Sequence, residues 1–163
     1  SLYLARGLGG NSLNPWVDTY LPPDIQNLNE SPSLQKNTGE ESKNLPWLNQ
    51  LDEALIQAKQ EDKHVFIDFT GYTCVNCRWM EKNVFSDPQV MAKFRQDFIL
   101  VQLYTDGGKN AEANQMLQVN RFKTVALPLY VILDSDDRLL TRHAGILEPA
   151  LSFLHFLSFG DQI

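Results

Sequence analysis

The chain contains two cysteines, Cys74 and Cys77, separated by Val75 and Asn76. A disulfide closing so short a loop restrains the unfolded chain far less than one closing a long loop, so stability is a weak reason for this spacing. A closed structural zinc site needs about four Cys or His ligands, and beyond the cysteines the chain offers three scattered histidines, His64, His143 and His155. These read as strand-edge or helix-surface residues. Covalent haem attachment requires a histidine directly after the second cysteine, where Arg78 stands. Redox exchange accounts for both spacing and setting, with a metal site and an idle pair as competing readings.

The setting is a strand running into a helix. The segment "HVFIDFT" is too continuously apolar for a half-exposed strand, and Gly71 and Tyr72 end it. "VNCRWMEKNVF" follows with good helix formers and no breaker. A cysteine at the mouth of that helix meets unpaired N–H groups and the positive end of the helix dipole, which favour thiolate over thiol. Cys74 is placed to attack. Cys77, one turn further in, is placed to resolve the mixed disulfide.

Asp68 interrupts the apolar strand where another hydrophobe would be expected. Burial should raise its pKa, making it a proton acceptor and donor near neutral pH. Glu81, four residues beyond Cys77, shares its helical face and is a candidate second carboxylate, with a solvated surface role as the alternative. Pro128 stands at the start of the apolar strand "LYVIL", where a missing N–H is normally unfavourable; a cis Leu127–Pro128 bond would resolve this, although X-Pro bonds are cis in only about 5 to 6% of cases.

The elements around these residues follow from periodicity. Leu48, Leu51, Leu55 and Ala58 fall on one face of an amphipathic helix beginning near Trp47. "SDPQVMAKF" starts another helix, capped by Ser86 or Asp87 with Pro88 at its first position. "FILVQLY" is a second buried strand, "TDGGKN" a turn and "AEANQMLQV" a short helix. "LYVIL" and "RLLTRHA" form a hairpin through "DSDD", ended by Gly145, and "EPALSFLHFLSF" is a closing helix. This order predicts an α/β fold, a central mixed β-sheet flanked by helices on both faces.

Residues 1–46 differ in composition, being rich in Asn, Ser, Pro and Glu without sustained periodicity. They read as a linker or tether, with Trp16, Val17, Tyr20 and Leu21 as the residues by which it would dock if it were an ordered arm. Residues 47–163 form the expected domain. The chain of 163 residues is 43% hydrophobic and 21% charged, the balance of a globular domain whose core is built by packing alone. A formal charge of -6 without a Lys/Arg cluster argues against nucleic acid. No run approaches the roughly 18 to 20 apolar residues of a membrane span, and residues 1–10 lack the pattern of a secretory signal.

The strand "VFIDF" with Asp68 six residues before Cys74, the pair "CVNC" opening a helix, and "ALP" starting a sheet segment together resemble the thioredoxin family. Within it, "DFTGYTCVNCRWMEKNVFSDPQV" is similar to the C-terminal thioredoxin-like domains of the DsbD family of thiol:disulfide interchange proteins. The resemblance covers about residues 47–160. It implies a thioredoxin-like fold, Cys74 and Cys77 as the redox pair, Asp68 and Glu81 as acids near it, and Pro128 as a cis-proline facing it. Tyr72, Thr73, Leu127 and Pro128 would meet incoming partners. It further implies no organic cofactor and no metal. The partners would be a membrane-embedded electron-donor domain and a periplasmic acceptor domain of the same protein, with residues 1–46 tethering a monomeric domain on the periplasmic side. A free-standing thioredoxin-like reductase and a redox-inert binding module are the alternatives. Thioredoxin has Trp before its first cysteine, Gly-Pro between the pair and a small residue before the proline; here Thr73, Val75-Asn76 and Leu127 take those places, so neither reduction potential nor partner choice carries over.

Overall fold

Three apolar runs and one mixed one make the sheet. In the computed structural model, which describes residues 44–159, β1 (His64–Thr70), β2 (Phe98–Tyr104), β3 (Leu129–Leu133) and β4 (Leu139–Ala144) lie in the order β2-β1-β3-β4. β1 pairs parallel with β2 and antiparallel with β3, and β3 pairs antiparallel with β4, so the expected mixed sheet and hairpin are present. The expected linker and its docking residues Trp16, Val17, Tyr20 and Leu21 lie outside the described residues, apart from residues 44–46.

The helices are α1 (Leu51–Glu61), α2 (Val75–Asn83), α3 (Pro88–Asp97), α4 (Ala111–Phe122) and α5 (Ala150–Leu157). Alternation along β1 divides the interior in two. Val65, Ile67 and Phe69 pack against Ala54 and Ala58 of α1 and Phe122 of α4. On the opposite face Phe66 packs with Met80 of α2, Phe94 of α3 and Phe153 of α5. Helices therefore cover both faces. The second face is aromatic: Phe66 lies 4.9 Å from Phe94 and Tyr130 lies 5.4 Å from Phe153, between ring centroids. Each such fully buried ring contributes about 1.5 to 3 kcal/mol.

Local chemistry sets the boundaries. Asp87 caps α3, its Oδ1 accepting from the N–H groups of Gln89 and Val90 at 2.8 and 3.3 Å, with Pro88 in the first turn. Gly145 ends β4 with φ at +95°, a conformation glycine adopts without a Cβ clash. One expectation shifts. Leu48 is not helical: its N–H donates to Leu100 O and its C=O accepts from Gln102 N, both at 2.8 Å, in a parallel bridge to Val101. The apolar period that includes Leu48 is real, but the edge of β2 claims its backbone before α1 begins. Leu45 is buried in the aromatic core ahead of it.

Candidate active site

β1 delivers the chain through Gly71, Tyr72 and Thr73 to Cys74, the N-cap residue of α2. Cys74 and Cys77 are joined by a disulfide. Cys74 Sγ accepts from the N–H of Cys77 at 3.2 Å, so one of the otherwise unpaired amides of the first turn points at the sulfur. The two sulfurs are not equivalent. Cys74 is half-buried, whereas Cys77 is 1% exposed. The first turn of α2 carries no acidic residue to oppose a thiolate.

The approach to Cys74 is held by Asp106 in the loop after β2. Its carboxylate accepts from the N–H of Tyr72 at 2.8 Å and from the N–H and hydroxyl of Thr73, both at 2.9 Å. Those donors, the Thr73 amide foremost, hold the Asp106 carboxyl below the usual range. Gly71 makes the approach possible, since a Cβ there would lie 2.8 Å from Asp106 Oδ2. Tyr72 is exposed and stacks on Tyr104 with ring centroids 4.1 Å apart.

Asp68 lies on the aromatic face of β1, 1% exposed, opposite Gln102 of β2 and Tyr130 of β3. Burial pushes its carboxyl up to about 7, with the Glu81 charge adding to the rise while the Gln102 hydrogen bond and Arg78 oppose it. Gln102 Nε2 donates to Asp68 Oδ2 at 3.1 Å and to Glu81 Oε1 at 3.0 Å. Glu81 is thus drawn toward the sheet and is half-buried. Burial raises its pKa, against the pull of Arg78 and Gln102. Arg78 Nη2 bonds Glu81 Oε1 at 2.9 Å and Thr70 Oγ1 at 2.8 Å, which ties α2 to the end of β1. The Tyr130 phenol is pushed up by burial and by the neighbouring Asp68 and Glu81 charges.

The Leu127–Pro128 peptide is cis. Pro128 is buried, its C=O accepts from Gly145 N at 2.8 Å, and the next residue, Leu129, pairs with Phe69. Pro128 therefore stands at the end of the sheet from which β1 leads to Cys74. Leu127 is partly buried against the other core. The structure thus links Cys74 with Cys77 and Asp68 with Glu81, and ties Tyr72 and Thr73 to one carboxylate.

Residues that sequence reasoning missed complete the arrangement: Arg78, Gln102, Tyr104, Asp106 and Tyr130. Gln102 carried a usable signal, a polar side chain in the apolar run "FILVQLY", the same signal that marked Asp68. Among the described residues no group of three His, Cys, Asp or Glu converges as metal ligands would, and no helix is long and apolar enough to cross a membrane.

The family model for thioredoxin-like domains matches residues 46–135. The chain belongs to the thioredoxin-like family. This thioredoxin-like domain is 46% identical over 109 residues to thiol:disulfide interchange protein DsbD 2 of Pseudomonas aeruginosa, a match covering 66% of the chain and 18% of that protein. It is 32% identical over 91 residues to DsbD of Escherichia coli, covering 56% of the chain and 15% of the relative. The chain thus spans less than a fifth of the length of these relatives. Among solved structures, a thioredoxin from Thermus thermophilus superposes with a TM-score of 0.59 at 24% identity, over 70% of this chain and 85% of that one. The oxidised C-terminal domain of Neisseria meningitidis DsbD superposes with a TM-score of 0.50 at 20% identity, over 64% and 86%. Both share the thioredoxin-like fold.

Proposed function

We propose that this domain is a thiol:disulfide oxidoreductase that passes electrons between proteins by dithiol–disulfide exchange at Cys74 and Cys77. The observation that carries the reading is the asymmetry of the pair: Cys74 is half-buried at the mouth of α2, and Cys77, one turn further in, is 1% exposed. In the reduced domain the Cys74 thiolate attacks a partner disulfide, forming a mixed disulfide and expelling one partner thiolate. Cys77 then gives its proton to Asp68 and attacks Cys74 Sγ. The Cys74–Cys77 bond forms, the second partner thiolate leaves, and two electrons have moved to the partner. A donor dithiol reverses the sequence and restores the reduced pair.

Asp68 suits this role because a carboxyl held near 7 takes and returns a proton at neutral pH. Glu81, through Gln102, supplies a second charge to the same spot. Tyr72, Thr73, Leu127 and Pro128 are the residues we assign to partner contact, Tyr72 being 59% exposed. Similarity to the DsbD proteins supports a periplasmic domain tethered through residues 1–46, taking electrons from a membrane-embedded domain and giving them to a periplasmic one.

The test is a redox titration. Native protein is equilibrated with graded dithiothreitol or glutathione couples, then alkylated and weighed. The expected result is a reversible two-electron transition between dithiol and disulfide without unfolding. A pair that exchanges only in denaturant contradicts the proposal and favours an inert thioredoxin-like binding module.

A further inference from the structure

One chain of hydrogen bonds joins α2 to β2 and β1, and chemistry fixes its direction. Arg78 is a pure donor. Its Nη1 donates to Tyr104 Oη at 3.4 Å, so the Tyr104 proton is free to go onward to Gln102 Oε1 at 3.3 Å. That sets the amide with its NH2 toward the acids, where both protons are committed, one to Asp68 Oδ2 and one to Glu81 Oε1. An oxygen that accepts such a bond is a poorer place for the acid proton than one that accepts none. Asp68 Oδ1 is the other choice: it is buried and has no partner among the described residues.

We infer that Gln102 is a positioning residue: it reserves Asp68 Oδ2 and Glu81 Oε1 as acceptors, and so confines the proton that Asp68 takes up to Oδ1. The inference deepens the proposed exchange mechanism and rests on it for the destination of the proton, but the hold of Gln102 on the two acids is measurable by itself. The groups facing Asp68 are Gln102 from β2, Tyr130 from β3, and Arg78 and Glu81 from α2, joined in the reduced protein, under the proposed mechanism, by the Cys77 thiol. Of these only Gln102 hydrogen-bonds to it. Losing that donor leaves burial and the Glu81 charge less opposed, which raises the proton affinity of Asp68.

The experiment follows the side-chain carboxyl resonances of Asp68 and Glu81 by carbon-13 NMR through a pH titration of the reduced protein. Wild type is compared with Gln102→Met, which removes the donors at nearly constant volume, and Gln102→Glu, which keeps the shape. The pH profile of single-turnover exchange with a disulfide peptide is recorded in parallel. Gln102→Met is expected to raise the Asp68 midpoint by about one pH unit, the worth of one hydrogen bond to a charged group. Glu81 should move the same way, and the alkaline shift should reappear in the exchange profile. In Gln102→Glu the added charge moves Asp68 at least as far. An Asp68 midpoint that stays at its wild-type value in Gln102→Met overturns the inference, whatever Gln102→Glu does. Asp68→Asn separates this from the parent proposal. Should that variant keep the wild-type exchange profile, the acid has no part in the reaction, and the hold of Gln102 on the acids still stands or falls on the NMR midpoint.

Discussion

Asp106 binds Thr73 twice, at the amide and at the hydroxyl, each at 2.9 Å, and so fixes the residue that immediately precedes Cys74. The two positions are far apart in sequence but meet because β1 and β2 run parallel and end side by side, Thr70 pairing with Tyr104. Asp106→Ala removes three acceptor bonds from the approach to the disulfide. Amide hydrogen exchange of Tyr72 and Thr73 should accelerate at least tenfold, taking each loss as roughly one ordinary hydrogen bond, while amides in the core of β1 keep their protection.

Gly71 tests the same contact from the other side. Its φ is not in the left-handed region, so alanine is acceptable to the backbone, and the difficulty is the Asp106 carboxylate 2.8 Å from the new Cβ. Gly71→Ala should destabilise the domain by about 1 kcal/mol in denaturant unfolding. In the Asp106→Ala background the same substitution should be nearly neutral, because the group it strikes is gone. Equal costs in the two backgrounds would show that the strain lies elsewhere.

Asp68 makes stability depend on pH in the direction opposite to most carboxylates. The folded state keeps the proton up to about 7, whereas the unfolded chain releases it near 3.8. Folding therefore takes up a proton between those values, and the fold loses stability as pH rises through that window, by on the order of 4 kcal/mol if no other group compensates. Asp68→Asn should abolish this part of the loss. Denaturant unfolding at pH 5 and pH 8 should show a smaller difference for the variant than for wild type, with the variant the more stable of the two at pH 8.

Tyr130 pairs with Asp68 across β1 and β3, and its hydroxyl is fully buried and without a hydrogen-bond partner among the described residues. Its ring is needed by the aromatic core; its oxygen is not. Tyr130→Phe should leave the fold unchanged and raise stability by about 1 kcal/mol, the cost of burying an unsatisfied hydroxyl. A loss of similar size in thermal or denaturant unfolding would mean that the hydroxyl is satisfied in solution.

The readable part of the site was what local sequence encodes. Cys74 and Cys77 at a strand-to-helix junction, and Asp68 as a lone carboxylate in an apolar run, are visible because spacing and burial are properties of short segments. Gln102 sends the same signal as Asp68, but its meaning depends on the register that sets it opposite Asp68, and register becomes visible only when β1 and β2 pair. Arg78 and Tyr104 read as an ordinary helix residue and a strand end until the fold brings them together. The sheet and its helices followed from periodicity, except at Leu48, where an apolar residue in helical register gave its backbone to β2.

Replacing Cys77 with serine removes the thiol proposed to resolve the intermediate and leaves Cys74, the proposed attacking thiol, unpaired. Reduced Cys77→Ser protein is mixed with a disulfide-bonded partner protein and quenched in acid, and the products are mapped by mass spectrometry. The proposed division of roles predicts a mixed disulfide through Cys74 that accumulates and is released by dithiothreitol, and none in Cys74→Ser under the same conditions. Accumulation through Cys77 in the Cys74→Ser variant, or no adduct through Cys74 at all, would contradict it.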